Sequence, residues 1–121
     1  MGKHGYALSY ARQLPQFEEF LATKKADKTR ESYSYALGHF AEFLSKLNGI
    51  QIGDVSTWNE FPPAWFYQSL VDNGKSWSTE QVHMHAVMQY LKHLERQNAL
   101  PFSTKSAKAE LKVARDHTVS L

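Results

Sequence analysis

The sequence predicts an all-α fold, an orthogonal bundle of four to five short helices, and three observations carry that prediction. Tyr33, Leu37, Phe40, Phe43, Leu44 and Leu47 recur at three- and four-residue spacing, which is the period of a buried helix face. Helix-punctuating residues stand at regular intervals: Asn48-Gly49, Pro62-Pro63, Asn73-Gly74 and Pro101. No strand pattern competes, because Ile50 to Val55 is the only β-like stretch and Gly53 interrupts it.

The elements follow in order. Residues 1–12 contain two glycines and no sustained periodicity, and read as a flexible lead-in. A first helix is expected over Pro15 to Lys24, with Leu14, Phe17, Phe20 and Leu21 inward and Glu18 and Glu19 outward. The second runs from Asp27 or Thr29, either of which can cap it, to the Asn48-Gly49 stop. Ile50 to Asn59 is a connector. A third helix should span Pro62-Pro63 to Asp72, burying Trp65, Phe66 and Leu70. For the fourth, Ser78-Thr79-Glu80-Gln81 forms a capping-box signature ahead of Val82, Ala86, Val87, Tyr90, Leu91 and Leu94. A short fifth helix can follow Ser103 through Ala107 and Leu111. The helical unit is thus residues 13–102, with 103–121 a short helix or a linker.

A chain of 121 residues, 42% apolar, can bury a core without a metal or disulfide. It has no cysteine, which removes disulfides, thiol catalysis and cysteine-based zinc sites. No apolar run is long enough to span a bilayer, so no membrane partner is expected. The absence of a secretory signal fits a cytoplasmic location. Net charge is only +2, yet no Lys or Arg occurs from Leu47 to Gly74. Basic residues gather at Lys24, Lys25, Lys28 and Arg30, and again from Lys92 to Arg115, which permits one positive face.

Beyond this bulk reading, the run Thr29-Arg30-Glu31-Ser32-Tyr33, then Leu37, Phe40 and Phe43-Leu44, resembles the second helix of a known domain. That domain is the amino-terminal, SAM-like core-binding domain of tyrosine recombinases and phage integrases. Leu70 followed by Asn73-Gly74-Lys75-Ser76 and Ser78-Thr79 resembles the turn into its fourth helix. Ala86, Tyr90-Leu91 and Leu94 resemble that helix's packing face. Asn98-Ala99-Leu100-Pro101 departs from the Asn-Pro the family shows near this point. The similarity covers roughly Leu14 to Phe102.

The resemblance implies half of a clamp on double-stranded DNA, nucleoid-associated when bound and serving DNA integration and recombination. The catalytic Arg, Lys, His and Tyr would lie in a carboxyl-terminal domain of the same parent chain, and other recombinase subunits would be neighbours on DNA. No catalytic residue and no cofactor is expected in this segment itself. At the start of the second helix, Lys28, Thr29 and Arg30 would combine charge with free backbone N–H groups, extended by Lys24 and Lys25. Lys75, Ser76, Ser78 and Thr79 would repeat that arrangement ahead of the fourth. Both helices face the major groove in the family, so Tyr33, Gln81 and His83 become candidates for base edges.

Each has a structural alternative: a solvated loop for Lys24 to Arg30, capping for Ser78, Thr79 and Gln81, the core for Tyr33. His83 and His85, two apart on a helix, point to nearly opposite sides, and His39 is placed outward, so no metal site is expected. His93-Leu94-Glu95-Arg96 imitates the family's catalytic His-x-x-Arg box but has no nucleophilic Tyr at the right distance. Trp77 stands beside the second phosphate region, and Trp58 has no evident role. The competing function is a helical protein–protein interaction module presenting Trp65, Phe66, Tyr67 and Leu70. An enzyme built on Glu18, Glu19 or Glu31 is the weakest reading, since these lack organised partners.

Overall fold

The computed structural model describes residues 8–120 and is mostly helical, with no strand among the described residues. Five helices organise it: α1 (Phe17–Ala22), α2 (Asp27–Ser45), α3 (Pro62–Asp72), α4 (Trp77–Arg96) and α5 (Thr104–Ser120). The longest, α4, packs against α2, α3 and α5, and α5 also lies along α3.

Residues 1–7 of the expected lead-in, and Leu121, lie outside the described residues. From residue 8 the lead-in is ordered. Residues 8–11 make a helical turn, and Ala11 is fully buried. Helix α1 starts two residues later than expected, because Gln16 adopts a left-handed backbone (φ 58°) that separates Pro15 from the helix. Its Phe17 and Phe20 enter the core.

At α2 the expected side-chain cap is absent. Ala26 occupies the N-cap position, and its carbonyl accepts from the Arg30 N–H at 3.1 Å. Asp27 is already inside the helix, where its carboxylate takes the Arg30 guanidinium instead of a backbone N–H. Leu37, Phe40, Ala41 and Leu44 then bury one face, while Tyr33, Phe43 and Leu47 are half-buried at its edges.

The connector is an organised plug. Asp54 accepts from the Ser56 N–H and opens a 3-10 turn over Val55–Thr57. Trp58, which had no assigned role, is 6% exposed; its indole N–H donates to the Gln51 carbonyl at 2.9 Å. Its ring stands edge-on to Phe40 at 6.3 Å.

Helix α3 has the expected bounds and buries Phe66, Tyr67 and Leu70. Trp65 does not join them; it is 47% exposed and stacks on exposed Phe61 at 5.8 Å. One residue is about 100° of helical turn, so Trp65 faces away when Phe66 faces in.

The cap of α4 is displaced from Ser78 to Ser76, whose Oγ accepts from the Thr79 N–H at 3.2 Å. Met84, Ala86, Val87, Tyr90, Leu91 and Leu94 are buried, but Val82 is 46% exposed and is no part of the packing face. The last helix is long rather than short. The Glu95 carboxylate, near the end of α4, accepts from the Thr104 N–H and Oγ–H at 2.9 and 2.8 Å. These bonds hold that carboxyl below its usual range. Ala107 and Leu111 are buried in the common core, so 104–120 is a docked helix and not an extended strand.

Candidate nucleic-acid interface

Helices α2 and α4 lie side by side, and a cleft of about 560 Å³ opens between the start of α2 and the first half of α4. Lys28, Thr29, Ser32 and Tyr33 form the α2 wall; Gln81, Val82 and His85 form the α4 wall. On the other side of Val82 a second hollow, of about 370 Å³, is lined by Lys75, Ser78, Thr79 and Tyr35, with His83 beneath. Val82 belongs to both, so the two hollows are one face. The geometry brings Lys28, Thr29, Tyr33, Gln81, Lys75, Ser78 and Thr79 together.

The remaining candidates are placed differently. Arg30 donates to the carbonyls of Lys24 and Lys25 at 2.5 and 3.0 Å and pairs with Asp27, so it closes the loop ahead of α2. The Lys24 ammonium lies over the rings of Phe20 and Tyr33, 5.0 and 5.3 Å from their centres. Lys25 is exposed but lines neither hollow. Tyr33 stacks on Phe20 at 5.8 Å, and burial raises its phenol pKa. It is therefore half core and half cleft wall. Ser76 is exposed but lines neither hollow, and its hydroxyl is engaged by Thr79.

His83 is corrected. It is 4% exposed, and its ring lies 5.4 Å from His39, 5.8 Å from Tyr35 and 6.1 Å from Phe66. Its Nδ1 is 2.9 Å from the Thr79 carbonyl, which can only accept, so the proton sits on Nδ1. Burial lowers its pKa, opposed by that carbonyl and assisted by Lys75. A ring so enclosed cannot reach a base edge. His39 is likewise corrected: it is half-buried and turned toward α4, not outward.

Exposed His85 takes the position assigned to His83, and Ser32 lines the same cleft. Both were legible in principle. His85 is four residues from Gln81, and Ser32 is four from Lys28, so each shares its partner's helix face. Among the described residues no group of three or more His, Asp or Glu could hold a metal ion. No described helix is long and apolar enough to cross a membrane. His93 is 3% exposed, packed against Phe20 at 5.5 Å, which withdraws it from any phosphate.

No family model, curated protein or solved structure matches this chain.

Proposed function

We propose that this chain binds double-stranded DNA, as the core-binding half of a tyrosine recombinase or phage integrase clamp with that domain's SAM-like, orthogonal arrangement. One observation carries the reading: Lys28 in the first turn of α2 and Lys75 just before α4 flank a single face around exposed Val82. Each helix start also offers N–H groups and a positive dipole end, which suit phosphate oxygens. Gln81 and His85 between them carry donors and acceptors of the kind that meet base edges in a major groove. Binding ranges from sequence-tolerant to site-specific accordingly. Strand cleavage belongs to a catalytic domain of the parent chain, and further recombinase subunits would be partners on DNA in the cytoplasm or nucleoid.

Fluorescence anisotropy of a labelled duplex, titrated at low and moderate salt, tests this. The wild-type chain should bind with an affinity that falls steeply with salt. Lys28→Glu/Lys75→Glu should lower the log–log salt slope by about 2, since each lost phosphate contact removes about 0.9. Absence of binding at low salt would sink the proposal.

A protein–protein module is favoured by a different and narrower observation. Of the aromatic residues on α3, Phe66 and Tyr67 are buried, leaving the stacked Phe61–Trp65 pair as an exposed apolar spot on a stretch without basic residues. It lies on another element from the basic face, so both roles can coexist.

A further inference from the structure

Helix α4 has a second flank. A groove of about 230 Å³ separates it from α5, and Gln81 and His85 border this groove as well as the cleft on the α2 side. The floor is apolar, from Met84, Met88 and Leu111; the rim carries Lys92, Lys108 and Arg115. No carboxylate lines it among the described residues. On α5, Lys105, Lys108, Lys112 and Arg115 follow at three- and four-residue spacing and share one face, with Asp116 paired to Lys112 at 3.1 Å. The Arg115 guanidinium is held over the Tyr67 ring, 5.6 Å from its centre, and its buried Nε finds no acceptor among the described residues.

Basic groups therefore stand on both sides of a polar ridge. The ridge is the α4 stripe of Gln81, His85, Gln89 and Lys92, at i, i+4, i+8 and i+11. Packed helices lie 8–10 Å apart, so α2 and α5 on opposite flanks of α4 are separated by roughly 16–20 Å. A helix with its side chains is about 10–12 Å across, and the major groove is about 12 Å wide. A duplex receiving α4 in its groove would set one strand's phosphates against α2 and the other's against α5.

Resting on the DNA-binding reading, we infer that the α4–α5 groove is a second phosphate-contact line, held by Lys92, Lys108 and Arg115. The two strands are gripped on either side of α4, and α5 is part of the interface as well as of the core. The apolar floor accommodates the lysine stems while their ammonium groups reach outward.

The full chain is tested by the same duplex titration with Lys92→Glu/Lys108→Glu, both positions being exposed. Arg12→Glu/Gln13→Glu/Asn59→Asp, at three exposed positions that line none of these hollows, is the charge-matched control. The α5-side variant should lose about 2 from the salt slope and bind at least about tenfold more weakly near 0.1 M salt. The control should keep the wild-type slope. Lys92→Gln/Lys108→Gln, which adds no negative charge, should reproduce most of the slope change, and an unchanged circular dichroism spectrum verifies the fold. If the α5-side variant keeps the wild-type slope while Lys28→Glu/Lys75→Glu loses it, this inference falls and DNA binding stands. If the control loses as much, only net charge matters and the inference falls. If the wild-type chain binds no duplex at low salt, DNA binding falls and takes this inference with it.

Discussion

Protonating His83 or His93 in the folded chain is harder than in the unfolded one, because both rings are withdrawn from water. Burial is the leading cause of the lowered pKa in each; Glu19 pulls His93 back up, while Arg96 and Lys24 push it further down. The unfolded chain therefore binds more protons between the lowered folded values and about 6.5, and stability rises with pH over that window. The urea midpoint should be highest above about pH 7 and fall on the way to about pH 5. His83→Gln/His93→Gln should flatten that dependence; an equally steep variant would show that other groups cause it. The same withdrawal separates His83 from His85 in function. Two positions along α4 turn one ring into the core beside His39 and leave the other on the cleft wall. Gln81 was singled out only by the family resemblance, with a capping role as its alternative, and it lines the cleft. His83 was not legible as buried, because a buried histidine needs a particular carbonyl, and that of Thr79 comes into place only once α4 forms.

The elements differ in how openly they declare their ends. Proline cannot lie inside a helix without losing a bond, and Asn-Gly readily leaves one, so both bounds of α3 were legible. The start of α4 was less so, since Ser76, Ser78 and Thr79 all carry cap-competent hydroxyls. Geometry selects Ser76, with its extended backbone (ψ 157°) and its oxygen on the Thr79 N–H. Ser76→Ala should accordingly cost about 1 kcal/mol, the usual worth of an N-cap, and Ser78→Ala only a few tenths. Urea denaturation of the two variants checks this, and equal losses would return the cap to the 78–81 box. At α2 the residue rules point to Asp27 or Thr29, yet Ala26 precedes the first turn. Arg30 ties down the loop ahead of the helix by donating to the carbonyls of Lys24 and Lys25, while the helix start itself has no side-chain cap.

In the whole molecule, α5 is the element whose weight changes most. Its composition is small and basic, and only Ala107 and Leu111 mark an inward face near its start, so a linker and a helix looked alike. The fold resolves this by laying α5 along α3 and α4 and tying its first turn to Glu95. Leu111 is 2% exposed within the common core. Leu111→Ala should then destabilise the whole domain by about 2–4 kcal/mol, as a buried leucine does. In a solvated tail the same change would stay within about 0.5 kcal/mol. One cooperative urea transition, shifted by that amount, distinguishes them. Any such loss must be separated from binding effects, which is why the duplex titrations use exposed lysines.

Helix class, the inward stripes of α2 and α4 and the gathering of Lys28 and Lys75 near helix starts were determined by the sequence alone. Apolar period, proline and asparagine–glycine act within a few residues, and a helix face is settled by spacing along one chain. Tertiary structure alone decided that Trp65 faces solvent, that Trp58 fills the core, that His83 is enclosed and that α5 belongs to the bundle. Each of these depends on which surface a second element offers, and that surface is built from residues tens of positions away. The same holds for the two-sided basic face around α4. The chain places its lysines on three separate helices, and only packing sets α2 and α5 on opposite flanks of the one between them.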